Sequence, residues 1–273
     1  MIKLLALDMD GTLLDSHKKI PQAHIEAIHQ AIAQGVKLVL CTGRPLVGVK
    51  PYYKELGLSK QNEYVIVDNG CAIHQSEGWK LLDYTALSKE DLVYLDQIAQ
   101  KTPAQLTIFD EERYLVLGED PNDLVSYDAG LVFTQPVKIS LEEAIEGSEI
   151  MFQAMFLAQP DQLDRFEADF HQDLSQRFSA VRSQDYIYET MPKGTTKASA
   201  LARLAEKLAI KPEEIMAIGD ANNDLEMLEF AGLGIAMGNA SDYVKSQADA
   251  VTTSNDQAGV ARAIEKYILK QDA

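Results

Sequence analysis

The chain has 273 residues, with 25 Lys plus Arg against 42 Asp plus Glu and a formal charge of −17. That excess of acid argues against a nucleic-acid binder, which needs basic side chains to displace counterions, and against a protein that lies on anionic membranes. Two cysteines, Cys41 and Cys71, cannot build a disulfide framework or a cysteine metal site, and no apolar run approaches the roughly 18 residues of a membrane span.

The first apolar run meets Asp8 too early for a signal peptide, so a soluble, cytoplasmic chain is expected. Residues 3–8 read as a buried strand, 21–34 as a helix through Ile25, Ile28 and Ile32 that Gly35 ends, and 36–40 as a second strand. A helix over 45–56 and a strand over 64–68 follow. Strands and helices alternating at these lengths predict an open α/β parallel sheet of Rossmann-like type. Trp79, Leu81 and Leu82 read as a further strand beside it.

The middle of the chain has a different rhythm. Residues 84–190 show a helix at 88–100, strands near 106, 114–117 and 151–157, a helix at 161–174, and paired strands at 178–182 and 186–189. Two helices with several strands predict an inserted α+β domain, a sheet with its helices on one face. From 191 the first rhythm resumes: helix 195–208, strand 215–218, helix 222–231, strand 233–237, a short helix at 242–247, a strand near 251 and a last helix at 257–269. The core is therefore expected over 1–83 and 191–273, interrupted by 84–190. Charge follows the same division, with 21 acidic against 7 basic residues in the insert and 21 against 18 elsewhere.

Three polar clusters stand where predicted strands end, the place where open α/β sheets bind ligands. In Asp8-Met9-Asp10-Gly11-Thr12 the two carboxylates are spaced to face one side of extended backbone, although an Asp-Gly turn with a capping acid accounts for the pattern equally well. Thr42-Gly43-Arg44 offers a hydroxyl, a Gly amide and a helix start as an anion cradle, or is a plain N-cap. Asp220, Asn223 and Asp224 are oxygen donors suited to Mg²⁺, or acids that cap a helix. Lys197, in the first turn of a helix, opposes the helix dipole and so invites an anionic partner, or is a plain solvent lysine, and Lys193 is its rival for the role. The five histidines show no metal spacing and are expected at the surface.

In this order and spacing, Asp8-x-Asp10-Gly11-Thr12, Thr42-Gly43-Arg44, Lys197 and Gly219-Asp220-x-x-Asn223-Asp224 resemble the four motifs of the haloacid dehalogenase (HAD) superfamily. The insert between the second and third motifs, with Asn69-Gly70 and Gly238-Asn239-Ala240, resembles the Cof-type subgroup IIB and its YidA-like sugar-phosphate phosphatases. Ala198 departs from the family, which has Lys-Gly at the third motif.

The resemblance implies a HAD core with an inserted α/β cap (C2 type) that sets substrate specificity. It implies that Asp8 attacks a phosphomonoester to form an aspartyl-phosphate, and that Asp10 serves as acid and then base. Thr42, Gly43, Lys197 and Asn223 would hold the phosphoryl group. Mg²⁺ would sit on Asp8, Asp10, Asp220 and Asp224, and Arg44 and Asn69 would touch substrate. The implied partner is a small phosphorylated metabolite, a sugar phosphate first, with no nucleic acid and no membrane. A phosphomutase or phosphotransferase on the same core is the alternative. A receiver-like phospho-Asp module fits less well, being about half this length. The acidity of the insert is expected to face solvent, since a negative field would repel an anionic substrate.

Overall fold

Leu4 to Leu7 form an apolar run without polar alternation, which suits a strand covered on both faces. In the computed structural model, which describes residues 1–58 and 61–270, this run is β1 (Leu4–Asp8), buried along its whole length. It is followed by α1 (Gln22–Ala33), β2 (Lys37–Cys41), α2 (Leu46–Glu55), β3 (Tyr64–Val67), β4 (Ala72–Gln75) and β5 (Lys80–Tyr84). Then come α3 (Lys89–Ala99), β6 (Gln105–Phe109), β7 (Tyr114–Leu117), α4 (Asp123–Leu131), β8 (Pro136–Ile139) and α5 (Leu141–Glu146). They lead to β9 (Ala154–Leu157), α6 (Pro160–Arg177), β10 (Phe178–Gln184) and β11 (Ile187–Pro192). The chain closes with α7 (Lys197–Lys207), β12 (Ile215–Gly219), α8 (Leu225–Phe230), β13 (Leu233–Ala236), α9 (Asp242–Gln247), β14 (Ala250–Val251) and α10 (Gly259–Ile264).

By their packing, Met1–Gly43, Tyr52–Asp83 and Thr196–Ala273 make one unit, and Arg44–Pro51 with Tyr84–Thr195 a second. The first holds an eight-stranded sheet of order β14-β13-β12-β1-β2-β3-β4-β5. From β14 to β3 neighbours run parallel, as the α/β rhythm predicts, while β4 returns antiparallel to β3. The sequence reading does not resolve β4. Its hairpin turns through Asp68, Asn69 and Gly70, all at positive φ. Leu7 lies beside both Leu40 and Ile218, so β2, β1 and β12 end side by side at one edge of the sheet. One face is packed by Leu4, Ala6, Val39 and Ala217 against Ala200, Leu201 and Leu204 of α7.

The second unit is a six-stranded sheet of order β10-β11-β9-β6-β7-β8. It carries helices on both faces, not on one. Leu92 and Leu95 of α3, Ala144 of α5 and Leu163 and Phe166 of α6 pack on Leu106, Ile108, Leu115 and Phe156. Val125 and Ala129 of α4 pack on the opposite side, with Phe109, Tyr114, Val116 and Met155. The cause is topological. β7 and β8 are parallel, and a parallel pair needs a crossover, which α4 supplies. The sequence hides this unit because β8 is short and largely exposed, so no apolar alternation marks it.

Of the acids in 84–190 only Asp110, Asp128 and Glu189 are buried. Asp110 is held by the Arg113 guanidinium, and Asp128 accepts from the Tyr114 and Tyr186 hydroxyls at 2.9 and 3.2 Å. Among the described residues no helix is long and apolar enough to cross a membrane.

His24 and His74 are fully buried, against the surface position expected for them. His24 lies on the inner face of α1 with Nδ1 3.0 Å from the Leu13 carbonyl, and burial lowers its pKa below the ordinary value near 6.5. A histidine so depressed contributes stability that is complete above the unfolded value and is lost as pH falls toward the folded one. Denaturant unfolding of wild type and His24→Asn at pH 7.5 and 5 is therefore expected to show a smaller loss on acidification in the variant. Equal losses would remove His24 as the source.

Candidate active site

Because β1, β2 and β12 end together, the residues that follow them converge. Asp8 is the last residue of β1, Thr42 follows β2, and Asp220 follows β12. Asp8, Asp220 and Asp224 each present an oxygen within 4.8 Å of the others. Gly11 permits this approach: its φ is +84°, and a Cβ there would stand 2.3 Å from Asp220 Oδ2. Thr12 donates to Asp220 Oδ1 at 3.0 Å. Asp224 is fully buried, and its Oδ2 accepts from the amides of Asp220 and Ala221, both at 3.0 Å, which fixes the turn after β12.

Lys197 is the cation of this cluster. Its side chain is 2% exposed, and Nζ lies 2.6 Å from Asp8 Oδ1 and 2.8 Å from Asp224 Oδ1. Thr196 caps α7 through a reciprocal bond with Ser199, which places Lys197 in the first helical turn. Gly70, at φ +102°, lets the β3–β4 turn come against that helix start, since a Cβ would meet Thr196 O at 2.2 Å. The anionic partners demanded by a lysine at a helix N-terminus are thus Asp8 and Asp224. Lys193 lies elsewhere, donating to the Ser175 and Phe178 carbonyls at the end of α6.

The other sequence-predicted residues fall into two sets. Asn223 Nδ2 donates to Asn69 Oδ1 at 3.2 Å, and the Asn69 amide donates to Thr42 O at 3.0 Å, so these three form one polar rim. Gly43 lies against the Asn69 side chain. Arg44 belongs by packing to the second unit, where it donates to Leu131 O at 3.1 Å.

Two polar residues with no role assigned from the sequence also join the site. Asn239 donates to Gly11 O at 2.8 Å and accepts from the Asn255 amide, bracing the turn after β1. Lys18 reaches Asp10 Oδ1 at 2.7 Å. The loop that carries Lys18 is densely bonded. Asp15 Oδ1 accepts from the amides of His17 and Lys19, and the Asp15 amide donates to Lys19 O. The Tyr52 hydroxyl donates to Lys18 O at 3.1 Å, and Ser16 N donates to Asp256 Oδ1 at 2.9 Å. Lys18 itself has φ +57°, a conformation that costs a non-glycine residue on the order of 1–3 kcal/mol. The signal for Lys18 was absent from motif spacing because only the loop path brings it back to Asp10.

Electrostatics sets the chemistry. Burial first, then the charge of Asp224, pushes Asp8 well above the usual carboxylate range. The same two causes push Asp220 up to about 6. Burial works against the Lys197 ammonium, but Asp224 and Asp8 outweigh it and hold it charged. With Asp10 added, four carboxylates face two ammonium groups. Asp8 Oδ2 is buried and, among the described residues, no donor group reaches it. An orphaned carboxylate oxygen inside an oxygen-only, net-negative cluster fits a metal ion, which would restore the missing charge. Burial pushes the Cys41 thiol up, which disfavours its thiolate form.

Removing the Lys197 ammonium strands two buried carboxylates. Lys197→Met is expected to cost about 3–5 kcal/mol in denaturant unfolding, in line with breaking one side of a buried pair. Lys193→Met, on an exposed residue, is expected to stay within about 1 kcal/mol. Equal losses in the two variants would contradict the buried-pair account.

The haloacid dehalogenase-like hydrolase family model matches residues 5–264. The chain is 34% identical over 269 residues to YxeH of Bacillus subtilis (strain 168), covering 98% of this chain and 99% of that protein. It is 31% identical over 268 residues to the 5-amino-6-(5-phospho-D-ribitylamino)uracil phosphatase YcsE of the same organism, covering 98% and 96%. Among solved structures it is similar to the HAD subclass IIB sugar phosphatase BT4131, at 26% identity and a TM-score of 0.83 over 97% of this chain and 98% of that one. With its four motifs, its sheet order and a family match over nearly its whole length, this chain belongs to the haloacid dehalogenase-like hydrolases, among the phosphatases of that family.

Proposed function

We propose that the protein is a Mg²⁺-dependent phosphatase that hydrolyses small phosphomonoesters, sugar and polyol phosphates first, by way of a phosphorylated Asp8. The observation that carries this reading is Asp8 itself. One of its oxygens is held by Lys197, the other is buried with no donor group reaching it among the described residues, and a partly exposed Asp10 stands two residues away. The similarity to a sugar phosphatase and to a phosphatase of a ribityl phosphate supports the substrate class.

The chemistry divides into two displacements. An Asp8 oxygen bonds to phosphorus while the bond from phosphorus to the ester oxygen breaks, and Asp10 gives its proton to the departing alkoxide. Asp10 then takes a proton from water as the water oxygen bonds to phosphorus and the bond from phosphorus to the Asp8 oxygen breaks, which releases inorganic phosphate and restores both carboxyl groups. Proton transfer of this kind contributes roughly 10²–10⁴-fold. Thr42, the Gly43 amide, Asn223 and Lys197 hold the phosphoryl oxygens. Asp8, Asp220 and the main-chain carbonyl of Asp10 would hold Mg²⁺, with Asp224 beside them. When bound, Mg²⁺ supplies the positive charge that lets a carboxylate meet an anionic phosphate. Residues 84–190 are assigned the choice among phosphorylated metabolites.

Phosphate release across a panel of sugar, polyol, nucleotide and cofactor phosphates is expected to favour the sugar and polyol esters. Asp8→Asn should lower release by at least about 10⁴-fold while leaving the fold intact by circular dichroism. Residual activity near wild type would remove Asp8 as nucleophile. Full turnover in excess EDTA would remove the metal.

A further inference from the structure

We propose that Lys18 is a positioning residue for the Asp10 carboxylate, and that the loop of residues 15–19 is built to deliver it. The proposal rests on the reading of Asp10 as the proton carrier. Lys18 and Asp10 have side chains 52% and 36% exposed. An ion pair so open to water adds little stability, so its geometry calls for another explanation. The loop provides it. Five residues are fixed by the Asp15 carboxylate from within, by the Tyr52 hydroxyl from α2 and by the Asp256 carboxylate from near the end of the chain. These anchors hold Lys18 at a positive φ that is uncommon for a residue other than glycine. A lysine stem is flexible, and fixing its backbone from three directions limits where Nζ can go. The point it reaches is Asp10 Oδ1, at 2.7 Å.

Asp10 is less enclosed than Asp8, and it turns Oδ1 toward Lys18 at the rim of the site. An acid that must meet a departing alkoxide has to be held to within about half an ångström and 10–20°. Nζ on Oδ1 gives the carboxyl group a fixed point, and in this proposal Oδ2 carries the proton. Lys18 therefore acts through Asp10, on the acid and base steps, and not on the phosphate.

The test uses crystal structures and steady-state kinetics of the wild type, Lys18→Ala, Lys18→Arg and Tyr52→Phe. Two substrates are compared, glycerol phosphate and p-nitrophenyl phosphate. In Lys18→Ala the Asp10 carboxylate is expected to leave its wild-type position, and kcat on glycerol phosphate to fall about 10–100-fold with KM within about threefold. The loss on p-nitrophenyl phosphate should be several-fold smaller, since its leaving group departs with little help from an acid. Lys18→Arg should recover most of both position and rate, and Tyr52→Phe should lose part. An unmoved Asp10 in Lys18→Ala overturns the proposal whatever the kinetics. A rise in KM with kcat intact overturns it in favour of a substrate-binding cation, and equal losses on both substrates overturn it in favour of a general lesion. If the wild type releases phosphate from no ester of the panel, the phosphatase reading fails, and the position of Asp10 in the variants still decides the case for Lys18.

Discussion

Carboxylates brought together inside a protein repel one another, and each loses the hydration that made its charge tolerable. Asp8, Asp220 and Asp224 are in that position, with oxygens within 4.8 Å, and much of the first unit is arranged around holding them. The parallel order β12-β1-β2 brings their strand ends together. Gly11 and Gly70 leave room where the Asp220 side chain and the start of α7 come close. Asp224 is satisfied by two amides and one ammonium, so its charge is spread over a rigid turn. What remains uncompensated is concentrated on Asp8 and Asp220, the two carboxyl groups pushed upward by burial and by Asp224.

The two lysines of the site solve different problems. Lys197 is buried and bridges Asp8 to Asp224, so it is part of what allows the cluster to exist at all. Its ammonium cannot leave without stranding both acids. Lys18 is open to water and meets the cluster at its rim, through Asp10, where an ion pair adds little stability. The energy invested in its loop, a strained backbone and several anchoring bonds, is spent on geometry. Burial distinguishes a lysine that supports the fold from one that serves the site.

The second unit shows the opposite use of charge. Its acids lie at or near the surface except for Asp110, Asp128 and Glu189, and its interior is apolar on both faces of the sheet. The acidity that dominates the composition of the whole chain is a property of this exposed surface. The carboxylates that could bind a metal come from the other unit, which holds 21 acidic against 15 basic residues.

The sequence by itself determined the alternation of strands and helices in the first unit, because continuous apolar runs and helical spacing are local signals. It also marked Asp8, Asp10, Thr42, Gly43, Lys197, Asp220, Asn223 and Asp224, because each stands just after a strand or at a helix start, where polar residues need a reason. It did not resolve β4 or the β7–α4–β8 crossover, whose strands are short or exposed and leave no periodic pattern. The sequence favoured Lys197 through its motif with Lys193 four residues away as its rival, and the tertiary structure shows Lys197 on Asp8 and Lys193 on the end of α6. Asn239 and Lys18 are further cases. Each reaches the turn after β1 along a path set by loops, and the contact is with residues 228 and eight positions away in the chain. Local sequence carries the propensity of a segment, but which charges meet, and which of them lose water, is fixed only when the strands are ordered and the loops closed.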